Sequence, residues 1–268
     1  MPTPQTLAMV AEMYLPQPHA ALLNGMLLGL PVNGYKDLHE KLKIVGLLHM
    51  VVLSGMNITI MTSIVMRIMG VFGRRVASLL SVLIIIFFIA FVSPQAPVVR
   101  AGFCSVFTIV ALLVGRKAQP LYLLLLSGVF VGIFWPEWIT SISFQLSYGA
   151  TLGLLLFNTN HHKEVRTFKA KIVQEFKREF RTSIAAQLFT APLIFFHFGQ
   201  FSIIAPLANV LVCFMVGPIM IVGFITVILG KISYVLGLLP AFIVFSMLDY
   251  VLWIVDMLAK IPFVFIQM

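Results

Sequence analysis

Long apolar runs separated by short polar clusters, many of them containing glycine or proline, dominate the chain. A helix needs roughly 20 mostly apolar residues to cross the hydrocarbon core of a bilayer. Runs close to that length recur from residue 45 to residue 259. We therefore predict an all-α, polytopic bundle of about eight membrane-spanning helices. The predicted spans are 45–67, 76–92, 98–115, 119–134, 141–157, 182–198, 205–229 and 234–259.

A shorter apolar segment precedes the first predicted span. As a helix, residues 19–31 would extend only about 18–20 Å, which is too short to cross a bilayer. The segment therefore predicts an interfacial or re-entrant helix. We divide the chain into an N-terminal lead, 1–44, that carries this helix, and a transmembrane domain, 45–268.

The composition supports a membrane protein. Hydrophobic residues make up 60% of the chain and charged residues only 10%. A soluble globular domain carries about 25% charged residues, so these proportions exclude a surface covered by water. The two cysteines, Cys104 and Cys213, lie inside apolar runs and indicate neither a disulfide framework nor a metal site.

The net charge is +9, and the basic residues between the predicted spans lie in every second loop. The loops 93–97, 135–140 and 199–204 contain no lysine or arginine. The positive-inside rule places the basic loops in the cytoplasm, and the basic lead then falls outside as a mild exception. The basic loops contain Arg67, Arg74, Arg75, Arg116, Lys117, Lys163, Arg166, Lys169, Lys171, Lys177, Arg178, Arg181 and Lys231.

The longest basic loop has a helical pattern of its own. Val165, Phe168, Ile172, Phe176 and Phe180 recur at spacings of three and four, with charged residues between them. This spacing predicts a cytoplasmic amphipathic helix at about 163–181. Such a helix suits the inner leaflet of the membrane, and the alternative is a docking site for a motor or a nucleic-acid strand.

Motifs for enzymatic chemistry are absent from the sequence. It contains no H-E-x-x-H, G-x-S-x-G, P-loop or C-x-x-C pattern. Asp249 and Asp256 share one face of the last predicted helix, and the deeper Asp249 is a candidate for a polar role in the membrane. We therefore predict a protein that is not an enzyme and that holds no cofactor or metal.

Polar and small residues interrupt the first predicted span at His49, Ser54, Gly55 and Asn57. A histidine or asparagine placed in lipid costs several kcal/mol unless its polar atoms are paired. These residues therefore face other helices or a water-filled cavity. Either they hold helices together by close packing and hydrogen bonds, or they line a path.

Three further polar residues are candidates for the same interior. Arg100 opens the third predicted span, where it would either snorkel to the interface or line the outer mouth of a pore and meet anions. Gln145 lies near the outer end of the fifth span, and Asn209 follows Ala205-Pro206. Pro192 and the Gly217-Pro218 pair predict two interrupted helices, which are typical of transporter or channel interiors.

These features together resemble the membrane domain of the ComEC/Rec2 family, the DNA-uptake channel of natural competence. The resemblance covers roughly residues 18–230. Met56 departs from the family pattern, which has histidine or tyrosine there. The segments that carry the resemblance are 46–58 (GLLHMVVLSGMNI), 99–101 (VRA), 143–148 (SFQLSY) and 185–209.

The resemblance implies a channel component that imports single-stranded DNA across the bacterial cytoplasmic membrane. The path would be lined by His49, Ser54, Gly55, Asn57, Arg100, Gln145 and Asn209. A DNA receptor outside and a cytoplasmic helicase would be its partners beside the lipid bilayer and the DNA. The family's OB-like and metallo-β-lactamase-like domains are not in this sequence, so we expect a fragment or a minimal form without nuclease activity. The alternative function is a small-solute or ion transporter.

Overall fold

The computed structural model describes residues 3–32, 34–51, 55–92, 94–157, 168–262 and 265–267. Within these ranges the chain folds almost entirely into α-helices. The helices are α1 Pro4–Tyr14, α2 His19–Leu28, α3 Lys36–Val45, α4 Leu48–Val51, α5 Gly55–Met69, α6 Arg74–Val92, α7 Ala96–Leu113, α8 Pro120–Phe134, α9 Ile142–Phe157, α10 Phe168–Phe198, α11 Ala205–Ile232 and α12 Tyr234–Ala259. Single 3₁₀ turns are formed by Gly70–Phe72 and Pro136–Trp138, and short strands by β1 Gln200–Ser202 and β2 Phe265–Gln267.

Five of the described helical segments are long and apolar enough to cross a membrane. This confirms the predicted all-α membrane bundle. The shorter α8 and α9, and the part of α10 that carries the sixth predicted span, stay predicted crossings. The five segments are Gly55–Phe72, Arg74–Val92, Ala96–Leu113, Ala205–Ile232 and Tyr234–Ala259.

The first predicted span begins too early in the sequence. Helix α3 ends at Val45, and Gly46 follows with a φ of 78°, a left-handed conformation that glycine adopts without strain. A β-carbon at position 46 would also lie 2.5 Å from Cβ of Ala205. The prediction that residues 45–67 form one span is therefore wrong at its start, because the chain turns at Gly46 and α4 begins only at Leu48.

Helix α2 supports the re-entrant alternative for the N-terminal segment. Every residue from Ala20 to Leu28 is buried, so the helix does not lie on the surface of the bundle. It packs against α1, α11 and α12, and its leucines belong to the same hydrophobic core as the last two helices. The lead is thus built into the main bundle.

Helix α10 corrects two expectations. Its 31 residues run without a break from Phe168 to Phe198, so the basic segment 168–181 and the sixth predicted span are one helix. Residues 168–181 are therefore helical, as predicted, but they continue directly into the sixth predicted span; residues 163–167 of that prediction are outside the described part. Pro192 lies inside α10 and Pro218 inside α11, so neither helix is interrupted as we predicted. Spanning helices tolerate proline where neighbouring groups satisfy the freed carbonyl.

The strands make a small exception to the helical fold. β1 pairs antiparallel with β2, and Phe201 lies opposite Ile266. The pair follows the end of α10 and ties residues 265–267 to the connection between α10 and α11. Ser202 of this pair lies beside the Gly46 turn, where a β-carbon at position 46 would be 3.1 Å from Cβ of Ser202.

Five helices form a closed series in which each packs on the next. Helix α5 packs on α7, α7 on α9, α9 on α10, α10 on α11, and α11 back on α5. Close contacts at small residues make these seams. A β-carbon at Gly153 of α9 would lie 2.3 Å from the carbonyl oxygen of Ala185 in α10, and one at Gly217 of α11 would lie 4.0 Å from Ile60 of α5.

Candidate functional site

Gly55 and Arg100 meet where the first turn of α5 packs on the first turns of α7. A β-carbon at position 55 would lie 3.1 Å from Nη2 of Arg100 and 3.0 Å from Cβ of Ala101. The absence of a side chain at Gly55 therefore makes the space that the guanidinium occupies. Two of the predicted path residues, from separate segments of the sequence, are brought into contact here.

The same guanidinium reaches α9. Nε of Arg100 donates a hydrogen bond to Oγ of Ser147 at 2.9 Å, and the group lies 5.8 Å from the centre of the Tyr148 ring. The Tyr148 hydroxyl donates to Oγ of Ser127 in α8 at 3.0 Å. Arg100 thus lies at a junction of α5, α7, α8 and α9.

Arg100 has no carboxylate partner among the described residues. The ion pairs found there join His19 to Asp249 and otherwise involve Lys41, Lys43 and Arg178. An arginine in a spanning segment is costly and is usually paired or exposed to water. Among the described residues its side-chain hydrogen-bond acceptor is the neutral Ser147, and the planar guanidinium carries five N–H donors in all.

Asn57 faces the opposite side of α5. Its side chain is 1% exposed, and Nδ2 donates to the backbone oxygen of Met26 at 2.9 Å. This bond ties α5 to the buried helix α2. Of the two roles weighed for Asn57, the contact favours holding helices together.

His49 and Gln145 bind their own local backbone. Nδ1 of His49 lies 3.0 Å from the carbonyl oxygen of Gly46, and Nε2 of Gln145 donates to the carbonyl of Thr140 at 3.4 Å. Neither shares a hydrogen bond with Arg100. Ser54, the remaining candidate of the first span, lies outside the described residues.

Asn209 belongs to the seam between α10 and α11. Nδ2 donates to Oγ of Ser183 at 2.8 Å, while the buried Oδ1 has no partner within the described ranges. One turn along α10 from Ser183, Gln187 donates to the backbone oxygen of Ser202 at 2.9 Å. This polar seam is separate from the Arg100 junction, and Asn209 is the predicted path residue that it contains.

Sequence reasoning missed Ser127 and Ser183 as site residues. Each is a single serine in a mostly apolar helix, and its importance comes from a partner on another helix. Ser147 and Tyr148 lay within the 143–148 segment that carried the family resemblance, but Gln145 was chosen there. Helical spacing is the signal that could have identified Ser147 and Tyr148. Ser147 lies two positions after Gln145, so the two side chains face different directions on the helix.

Charged groups outside this site hold the N-terminal helices on α12. The Lys41 ammonium lies 2.6 Å from Asp37 and 3.0 Å from Asp256, and these hydrogen bonds raise the pKa of Lys41. Nε2 of His19 lies 3.3 Å from Asp249, whose side chain is 66% exposed. Asp249 thus contacts helix α2, and its mostly exposed side chain does not fit the buried polar role predicted for it.

Two known proteins are similar to this chain in sequence. ComE operon protein 3 of Bacillus subtilis (strain 168) is 27% identical over 168 residues, which cover 62% of this chain and 21% of that protein. An uncharacterized protein of Aquifex aeolicus (strain VF5) is 32% identical over 167 residues, 62% of this chain and 36% of that protein. The aligned part is therefore a minor share of each relative's length. No solved structure matches the chain.

The family comparison covers most of the chain. The family model described as Competence protein matches residues 26–268, from within helix α2 to the last residue. The match includes Gly55, Arg100, Ser147 and Asn209, and so contains both polar groups described above. The chain belongs to the Competence protein family.

Proposed function

We propose that this chain is a membrane channel component that imports single-stranded DNA in natural transformation. Its family and the similarity to ComE operon protein 3 support a role in competence. The observation that carries the proposal is Arg100, a guanidinium in a spanning helix with a serine acceptor and no described carboxylate. Phosphate is the anion that a DNA strand would bring to it, and arginine binds phosphate through its planar set of donors.

The closed series α5, α7, α9, α10 and α11 is the proposed path. Its seams carry the polar contacts Gly55–Arg100, Arg100–Ser147 and Ser183–Asn209, whereas the hydrophobic core of α2, α11 and α12 is aliphatic. A strand in transit needs phosphate attraction at few points, because many basic contacts would hold it in place. One guanidinium followed by neutral polar groups meets this requirement.

The proposed orientation follows the loop charges. The basic loops face the cytoplasm of the bacterial cell, and the turn at Pro136–Trp138 faces outward with the N-terminal end of α7. Arg100 is then near the outer mouth, and Asn209 and Ser183 lie on the other side of the proposed path. The domain acts without catalysis, with a DNA receptor outside and a helicase inside as its partners.

Replacing Arg100 tests the proposal. A charge-assisted hydrogen bond contributes about 1.5–3 kcal/mol, so we expect Arg100→Ala to lower uptake of labelled DNA at least about tenfold. Arg100→Lys keeps the charge without the planar donors and should retain part of the activity. The matched control is Arg75→Ala, an exposed arginine at the start of α6, which should remain near the wild-type level.

Membrane abundance of each variant is measured beside uptake. Normal uptake by Arg100→Ala at normal abundance would overturn the site, and labelled DNA entering a deletion strain would overturn the function. The alternative function is a small-solute or ion transporter. Solute transport by the purified protein in liposomes, without any DNA effect in cells, would favour it.

A further inference from the structure

Six aromatic rings form a continuous run beside Arg100. We call this run the aromatic ladder. The two indoles at its outer end are stacked, with ring centres 4.9 Å apart and planes 8° from parallel. Neighbouring rings along the rest of the run have centres 4.4–5.9 Å apart. In order from the turn into the bundle, the members are Trp138, Trp135, Phe134, Phe130, Phe103 and Phe107.

Three elements hold the ladder in place. The 3₁₀ turn Pro136–Trp138 follows directly on α8, so the proline and the turn fix the two indoles against each other. Phe130 is one turn before Phe134 on α8 and contacts Phe103 of α7, where the ring centres are 5.0 Å apart. The ladder therefore passes from a loop at one end of the bundle onto two spanning helices.

Arg100 lies next to the ladder. It precedes Phe103 by three residues on α7, which places the two side chains on the same side of that helix. On α9, the Tyr148 ring below the guanidinium stacks with Phe144 at 4.1 Å. The guanidinium that has no carboxylate partner among the described residues thus lies over an aromatic ring of α9, one turn of α7 away from Phe103 of the ladder.

The ladder is not part of the hydrophobic core. None of its six residues is buried; Phe134 is 61% exposed and Phe107 is 40% exposed. The two core clusters of buried residues are made almost entirely of aliphatic side chains, with Phe88 as their aromatic member. The rings of the ladder therefore lie at the surface of the bundle and not in its interior.

Proteins that carry single strands without sequence preference combine a cationic group with aromatic side chains on which successive bases stack. Stacking tolerates every sequence because each base has a π-face. A duplex cannot use such a run, because its bases are already stacked and paired. The ladder together with Arg100 has both parts of this arrangement, and the strand would meet the indoles before the guanidinium.

We propose that the aromatic ladder is a base-stacking track that leads single-stranded DNA to Arg100. The proposal rests on the proposed function, since it takes the same strand as ligand. The competing role is an aromatic belt, in which tryptophans anchor the protein among lipid headgroups. That role concerns membrane insertion and gives no affinity for nucleic acid, so the two can be separated by measuring binding per folded molecule.

The tryptophan content of the chain provides a direct probe. The chain contains three tryptophans, and the third, Trp253, lies on α12 away from the ladder. In Trp253→Phe protein reconstituted in liposomes, all tryptophan emission comes from Trp135 and Trp138. We expect oligothymidylate to quench this emission saturably and a duplex of the same length to leave it unchanged. A fluorescein-labelled oligothymidylate measures binding independently by anisotropy.

Variants of Trp138 supply the second measurement. Trp138→Phe keeps an aromatic face, whereas Trp138→Leu keeps only the apolar bulk. We expect Trp138→Leu to weaken oligothymidylate binding at least about fivefold relative to Trp138→Phe. Trp253→Leu is the matched control, since it removes an exposed indole of α12 and should leave the affinity unchanged.

The outcomes distinguish the track from the proposed function. Saturable quenching and the loss in Trp138→Leu support the track. Anisotropy that reports binding without quenching, or equal affinities for Trp138→Leu and Trp138→Phe, overturns the track and leaves DNA binding in place. A Trp138→Leu variant of lower membrane abundance but unchanged affinity assigns the indoles to the belt and also overturns it. No binding by either method overturns the proposed function itself.

Discussion

Gly55 of α5 lies directly against Arg100 of α7, so that a β-carbon at position 55 would be 3.1 Å from Nη2 of the arginine. The same β-carbon would be 3.0 Å from Cβ of Ala101, which cannot move without the helix. The glycine thus determines how closely the two helices approach and where the guanidinium lies. The position of the only described charge in this junction depends on a residue without a side chain.

A graded series at position 55 tests this dependence. Gly55→Ala and Gly55→Val should progressively displace Arg100 and lower the melting temperature, since overpacking a tight contact costs about 1–3 kcal/mol. Binding of labelled oligothymidylate should weaken in the same order. Gly70→Ala and Gly70→Val are the controls, because nothing lies within 4 Å of a β-carbon there. Equal melting temperatures and affinities in the two series would contradict the close approach.

The seam between α9 and α10 makes a sharper stability prediction. A β-carbon at Gly153 would lie 2.3 Å from the backbone oxygen of Ala185, whereas one at Gly149, a turn earlier, would meet its nearest neighbour at an ordinary 3.5 Å. Gly153→Ala should therefore lower the melting temperature by at least about 4 °C. Gly149→Ala should stay close to wild type. Thermal unfolding of the two purified variants compares them, and a tolerant position 153 would show that these helices do not pack as described.

Asn57 distinguishes a packing residue from a path residue. Because its amide is buried and donates to Met26, Asn57→Ala should destabilise the protein by about 1–3 kcal/mol. Thr59→Ala should have little effect, since the exposed hydroxyl donates only to Gly55 of its own helix. Melting temperature and DNA uptake are measured on both. Wild-type stability with lost uptake in Asn57→Ala would instead assign the residue to the path.

Lys41 predicts a dependence on alkaline pH. Its hydrogen bonds to Asp37 and Asp256 raise its pKa, so the stabilisation is complete below the ordinary lysine pKa of 10.5 and is lost as the pH rises above it. Lys41→Met should lower the melting temperature at pH 7 by no more than about 2–4 °C, because a partly exposed pair is screened by solvent. The difference from wild type should shrink above pH 10.5. Lys36→Met, an exposed lysine of the same helix, is the control, and a difference that does not depend on pH would refute the pairing.

Hydropathy and loop charge predicted most of the helices. The predicted spans 76–92 and 234–259 agree closely with α6 and α12, because long apolar runs have few alternatives in a bilayer. Proline and glycine were less reliable predictors of where a helix breaks, because packing against neighbouring helices decides whether it does. Pro192 and Pro218 suggested breaks that did not occur, and Gly46 ended a helix where the apolar run continued.

The sequence predicted which kinds of residue form the site, but it identified only some of the individual residues. The sequence marked Gly55, Arg100 and Asn209 as polar or small residues in apolar surroundings, and these three do contact other helices. It selected Gln145 where Ser147 makes the contact, and it could not identify Ser127 or Ser183. A serine has no distinctive pattern in sequence, because its hydroxyl can always bond to its own helix backbone.

The sequence by itself determined that the chain crosses a membrane and which residue types would be costly there, because burial of apolar length and desolvation of charge are properties of each segment alone. It also carried the family resemblance in short motifs. Only the tertiary structure decided that Gly55 makes room for Arg100, that Asn57 joins the buried helix α2, and that six aromatic side chains from two helices and a turn form one ladder. Such relationships depend on how the helices approach and rotate against each other, which no single segment specifies.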